Sequence, residues 1–114
     1  MNEDPRTRQT IDRLLLAVES RDLRAVQAAL HPNATWQNVP HPAVKGRPAV
    51  MAFLANILCW SDQVRWDVIS SSVEGRVGWY ERVDRFWLLG EEHAVECNGV
   101  FTVDPATDTV SEAV

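Results

Sequence analysis

A chain of 114 residues has the length of one domain, and its 46% apolar and 24% charged residues are ordinary for a globular protein with its own core. The net charge is −5 and the Lys and Arg residues are scattered along the chain, so we expect no binding to nucleic acid. No apolar run reaches the length of about 18 residues that a membrane span requires, and the acidic residues 1–5 lack the pattern of a signal peptide. We therefore expect a cytoplasmic protein that does not associate with membranes.

The first part of the chain predicts two helices and a short strand. Apolar residues recur at helical spacing from Ile11 to Val18, which is the stripe of an amphipathic helix. Asp22 can cap a second, short helix, and we expect the His-Pro-Asn segment of residues 31–33 to close it. Residues 34–38 then predict a brief strand.

The rest of the chain predicts one more helix and a series of strands. Gly46, Arg47 and Pro48 have the order typical of a helix start. From Gln63 onward the apolar period changes from 3.6 to 2, which indicates strands joined by short turns. The first of these strands begins at residue 63, and the next three occupy residues 77–88, 94–103 and 109–114.

Helices at the front of the chain followed by an antiparallel meander predict an α+β fold. We expect a cone in which three helices pack inside a curved, mainly antiparallel sheet and a pocket opens at its mouth. Nothing divides the chain, so residues 1–114 are expected to form this single domain. Five Trp residues suit either a large core or an aromatic-lined cavity, and for such a cavity we expect the ligand to be a small apolar molecule.

One face of the strand over residues 77–88 carries two charged side chains among aromatic ones: Tyr80, Arg82, Asp84 and Phe86. Arg82 and Asp84 are costly to bury unless they are paired or functional. They form either a functional pair in the pocket or a solvated stripe on the open side of the sheet, and the mixed character of both strand faces does not decide between these. Trp36 and Asn38 share a face of the first strand.

The cysteines and histidines lack the spacing of metal sites. We interpret Cys59 and Cys97 as two buried free thiols, with a disulfide or a nucleophile as the alternatives. His31, His41 and His93 are expected in loops or on the surface. We accordingly expect no metal and no cofactor.

Three short motifs give the chain a resemblance to a known superfamily: Ser-Arg-Asp-Leu at residues 20–23, His-Pro-Asn-Ala-Thr at 31–35 and Gly-Arg-Pro-Ala-Val at 46–50. In this order they resemble the nuclear-transport-factor-2-like cone fold. That superfamily includes ketosteroid isomerases, SnoaL-like polyketide cyclases and limonene-1,2-epoxide hydrolases.

Within the superfamily the chain is most similar to the limonene-1,2-epoxide hydrolases. Residues 36–40 are similar to that family's Tyr-x-Asn segment, residues 81–84 to its Arg-x-Asp motif, and residues 99–103 to the strand that follows. The resemblance implies addition of water to an epoxide in one step, without a cofactor. It makes Asp84 the general acid, Arg82 the group that holds the carboxylates and Asn38 a residue that positions water, while Trp36, Tyr80 and Phe86 would contact the substrate.

Two positions depart from the family pattern. Trp36 stands where the family has Tyr, and the family's basic Asp on the last strand would fall just after Val114. Either the last strand is incomplete, or Glu112 substitutes, or the pocket has another use. The alternatives are a non-catalytic binding or interaction module and a polyketide-cyclase-like enzyme. An isomerase is disfavoured because Asn38, near that family's catalytic Asp, cannot act as a base.

The strand over residues 77–88 also predicts a partner. Its second face carries apolar side chains at Val77, Trp79, Val83 and Trp87. Large apolar patches mark interfaces, and cones of the resembled fold usually pair through the exposed sheet face. We therefore expect a homodimer through the outer face of the sheet.

Overall fold

A computed structural model describes residues 3–114, which form three helices and six strands. In chain order these are α1 (Pro5–Glu19), α2 (Leu23–Ala29), β1 (Leu30–Trp36), β2 (Val44–Lys45), α3 (Arg47–Trp60), β3 (Gln63–Glu74), β4 (Val77–Leu88), β5 (Glu91–Asp104) and β6 (Thr109–Ala113). The predicted α+β class is confirmed. Among the described residues, no helix is long and apolar enough to cross a membrane.

All six strands belong to one sheet, in the order β2-β1-β6-β5-β4-β3. Strands β3 to β6 form an antiparallel meander, as the short turns predict. Strand β1 pairs with β6 in parallel orientation. The two-residue strand β2, which the sequence pattern does not reveal, pairs with the other side of β1 and forms the edge of the sheet.

Helix α1 packs its apolar stripe against the sheet. Ile11, Leu14 and Val18 are fully buried, as the helical spacing predicts. Asp4 caps the helix by accepting a hydrogen bond from the backbone N–H of Arg6 (2.9 Å).

The transition from α2 to β1 differs from the prediction, because β1 follows α2 directly. Residues 31–33 do not close the second helix; they lie inside β1, which already begins at Leu30. Leu30 is buried and aligns with Val110 of β6. The register shifts before Thr35, and a bulge of this kind tolerates a proline. Pairing with a distant strand thus overrides the local turn pattern, and Asn38 lies beyond the end of the strand.

The inner faces of β4 and β5 combine glycines with large aromatic residues. Gly78 lies opposite Phe101 and Tyr80 lies opposite Gly99. A Cβ atom at either glycine would collide with side chains of the core. Because the two glycines have no side chains, the Tyr80 and Phe101 rings can pack edge to face with their centroids 5.7 Å apart. Two glycines therefore allow two large rings to fill the centre of the fold.

Candidate functional site

Two adjoining cavities lie at the sheet, with volumes of about 570 and 410 Å³. The larger is lined by the end of β1 with the loop that follows it and by residues 95–101 of β5, and the smaller lies between α3 and strands β3 and β4. Both are lined by the same five residues: Trp36, Asn38, Arg82, Asp84 and Val95. The junction of the two cavities therefore brings together the Arg-x-Asp pair and the two predicted residues from the end of β1.

Arg82 and Asp84 form a bidentate ion pair at this junction. Arg82 Nε donates to Asp84 Oδ1 (2.9 Å) and Nη2 donates to Oδ2 (3.1 Å). Arg82 is only 6% exposed. The solvated-stripe interpretation is therefore wrong for this pair. Burial makes the charge-assisted bonds strong, because little water competes for them.

Aromatic rings and a glycine hold the Arg82 guanidinium in place. Its carbon lies 4.7 Å from the centre of the Trp66 ring and 5.5 Å from that of Phe101. Nη1 is buried and has no hydrogen-bond partner among the described residues. A Cβ atom at Gly99 would collide with Nη1. The guanidinium is therefore immobilised, which fixes the carboxylate that it binds.

Cys97 is a third member of this cluster that sequence reasoning did not select. It lies directly opposite Arg82 in the β4–β5 ladder. Its Sγ accepts from Arg82 Nη2 (3.4 Å) and donates to Asp84 Oδ2 (3.3 Å). Burial raises the pKa of the Cys97 thiol to about 11, so the thiol keeps its proton near neutrality. The other cysteine, Cys59, is exposed and Cys97 is only partly buried, which corrects the expectation that both are buried; both are free thiols.

Trp36 and Asn38 are linked to each other. The indole Nε1 of Trp36 donates to Asn38 Oδ1 (3.1 Å). This bond uses the amide oxygen and leaves the amide N–H groups of Asn38 available as donors to a ligand in the junction.

Phe86 and Tyr80, both expected among the substrate-contacting residues, are separated by the fold. Phe86 lines the smaller cavity and stacks on His93, with ring centres 5.4 Å apart. Tyr80 lines neither cavity. It is buried in the core, and its hydroxyl donates to Asp12 Oδ1 of α1 (3.0 Å). Burial, supported by this bond, raises the pKa of Tyr80 well above its usual value.

The smaller cavity is predominantly apolar. Helix α3 contributes five of its fourteen lining residues, and the helix carries no charged residue from Pro48 to Trp60. Trp60 lines the cavity while 73% exposed, so it stands at the entrance. This chamber suits a hydrocarbon group.

Carboxylates other than Asp84 lie away from the junction. Glu112, considered as a replacement base, is exposed on β6 and lines neither cavity. Glu96 lines the larger cavity but is exposed and lies opposite Val83, on the other face of the ladder from Arg82. Over residues 3–114, no group of three or more His, Cys, Asp or Glu side chains is placed to hold a metal ion.

Comparison with known proteins supports the resemblance seen in the sequence. Residues 11–108 match the family model of the SnoaL-like domain. An LEH-like epoxide hydrolase from M. tuberculosis superposes with a TM-score of 0.84 at 18% identity, covering 95% of this chain and 79% of that one. A putative SnoaL-like polyketide cyclase from Shewanella denitrificans OS-217 gives 0.81 at 14% identity, covering 97% and 89%.

A third similar structure has a ketosteroid isomerase-like fold. This hypothetical protein from Catenulispora acidiphila, in complex with trimethylamine, gives a TM-score of 0.79 at 12% identity and covers 92% of this chain and 82% of that one. At these identities the structures establish the fold. No curated protein matches the sequence.

Proposed function

The chain belongs to the SnoaL-like domain family, and on that premise we propose that it is an epoxide-hydrolase-like enzyme that hydrates a small lipophilic substrate in one step. The observation that carries this proposal is the buried Arg82–Asp84 ion pair at the junction of the two cavities, the smaller of which is predominantly apolar. It supplies a fixed proton-transfer group beside a space for a hydrocarbon.

Arg82 and Cys97 donate every side-chain hydrogen bond that reaches the oxygens of Asp84, so they hold this carboxylate in one orientation at the junction. In the proposed reaction Asp84 takes a proton from water as the water oxygen bonds to an epoxide carbon and the carbon–oxygen bond breaks. As that bond opens, Asp84 passes the proton on to the leaving epoxide oxygen, so the addition of water remains a single step and gives the diol. This proton donation is the acid role that the family resemblance implies. Asn38 positions the water through its amide N–H groups.

A panel of apolar epoxides tests the proposal, with the diol measured by mass spectrometry. Wild-type protein should form diol, and Asp84→Asn should abolish it while leaving the circular dichroism spectrum unchanged. The matched control is Glu81→Gln, since Glu81 is an exposed carboxylate on the opposite face of the same strand. Absence of diol from wild-type protein across the panel would refute the hydrolase.

A second candidate is a small-molecule-binding module without catalysis. The position of Glu112 outside the cavities favours it, because the junction then has one carboxylate where the resembled hydrolases use two. Trp36 lies at the junction and Trp66 lines the smaller cavity, so ligand entry should change their fluorescence. A fluorescence change without diol would support this module, and a cyclised product would instead support the polyketide-cyclase-like alternative.

We also propose a homodimer through the outer face of the sheet and a cytoplasmic location. Trp79 on that face is 45% exposed, and covering it would remove apolar area from water. Both cysteines are free thiols, which suits a reducing compartment. Sedimentation at micromolar concentration should give a dimer and Trp79→Glu a monomer; a wild-type monomer would contradict the interface.

A further inference from the structure

The carboxylate of Asp84 is held unequally at its two oxygens. Oδ1 accepts one hydrogen bond, from Arg82 Nε (2.9 Å). Oδ2 accepts two, from Arg82 Nη2 (3.1 Å) and from Cys97 Sγ (3.3 Å). Each carboxylate oxygen has two lone pairs, so Oδ2 is saturated and Oδ1 keeps one free site.

We infer that Cys97 is a positioning residue that occupies Oδ2 of Asp84 and leaves Oδ1 as the oxygen that exchanges protons with the ligand. This inference rests on the proposed function, since it specifies how the same carboxylate acts. Cys97 does not react; it acts through Asp84.

The direction of the thiol bond follows from its neighbours. Arg82 Nη2 donates to Sγ, and Oδ2 of Asp84, a carboxylate oxygen in an ion pair with Arg82, accepts, so the S–H proton points to Oδ2. The ladder fixes this arrangement, because Cys97 is directly opposite Arg82 and two residues from Gly99, which makes room for the guanidinium. The raised pKa of the thiol keeps the donor protonated.

An infrared measurement tests the bond without requiring turnover. The S–H stretch absorbs where few other protein groups do, and Cys59→Ala leaves the band of Cys97 alone. The Cys97→Ala variant in turn shows the band of the exposed Cys59 alone. We expect the Cys97 band to lie at lower frequency and to be more intense than the Cys59 band. Adding Asp84→Asn to Cys59→Ala, with the fold checked by circular dichroism, should move the band back towards the free position. Coincident bands, or no shift with Asp84→Asn, would overturn the inference.

Kinetics test the consequence. Loss of a bond worth about 1 kcal/mol corresponds to about a fivefold change in rate, so Cys97→Ala should lower kcat about fivefold with little change in KM. Cys97→Ser keeps a donor and should recover at least half of the wild-type kcat. Equal kcat in wild type and Cys97→Ala would overturn the positioning role. If wild type makes no diol, the proposed reaction fails while the infrared bands still decide whether the thiol holds Asp84.

Discussion

Removing one partner of the Arg82–Asp84 pair should destabilise the protein strongly. In Arg82→Met the carboxylate of Asp84, whose side chain is 18% exposed, loses both charge-assisted bonds. Breaking a buried pair costs about 3–5 kcal/mol. Residual exposure of Asp84 places the expected loss near the lower end, at about 3 kcal/mol. At about 4 °C per kcal/mol for a domain of this size, the melting temperature should fall by about 12 °C.

Asp84→Asn tests the same ion pair by removing its negative charge. It leaves the more deeply buried guanidinium without its counter-charge, although the amide oxygen can still accept one bond. We expect a loss of about 2–3 kcal/mol, measured by urea denaturation at pH 7. Arg65→Met is the control, because Arg65 also pairs with an aspartate but is exposed, so its removal should change stability little.

The reasoning would be refuted if Arg82→Met cost no more than Arg65→Met. That result would mean that water reaches the pair and that the junction is not a low-dielectric environment. Unchanged m-values in urea are required for the comparison, because a changed slope would indicate altered compactness of one of the two states.

Four further measurements test the surroundings of the pair and the burial of Tyr80. Gly99→Ala forces a Cβ atom against the guanidinium and should cost about 1–3 kcal/mol in thermal unfolding; a variant as stable as wild type would contradict the close fit. A maleimide at pH 7 should label exposed Cys59 much faster than Cys97, and equal labelling rates by mass spectrometry would contradict the partial burial and raised pKa of Cys97. Tyr80→Phe removes the bond to Asp12 and should cost about 1 kcal/mol in urea unfolding. Because burial raises the pKa of Tyr80, the folded state keeps a proton that the unfolded state loses, so wild-type stability should fall above about pH 10 and Tyr80→Phe should lack this loss.

The strands were predictable where sequence pattern and turn agree. Strand β4 has the bounds 77–88 that alternation predicts, and β5 begins only slightly before the expected residue 94. Helix α3 begins at Arg47 as the Gly-Arg-Pro order indicates. Residues 31–33 were assigned wrongly because their place in β1 depends on pairing with β6, about 80 residues later, which no local pattern contains.

The site was predictable as a set of strand faces but not as a set of contacts. Alternation places Arg82 and Asp84 on one face, and the structure shows that this face points inward. The same alternation grouped Tyr80 with them, but the Tyr80 hydroxyl donates a hydrogen bond to Asp12 of helix α1, so the side chain lies in the core and not in either cavity. Cys97 could have been found from the hairpin: a two-residue turn at 89–90 sets the register that places Cys97 opposite Arg82.

Stability alone does not account for a buried ion pair at this position. Apolar residues of similar volume often replace such pairs without loss of stability, or with a gain. The double variant Arg82→Met with Asp84→Leu should therefore unfold within about 1 kcal/mol of wild type, although each single change to Arg82 or Asp84 costs more. Such a variant would keep the fold and lose the proton-transfer group, so it should form no diol. A double variant that is far less stable than wild type would show that the pair is held for the fold, and would remove the main physical reason to place chemistry at this junction.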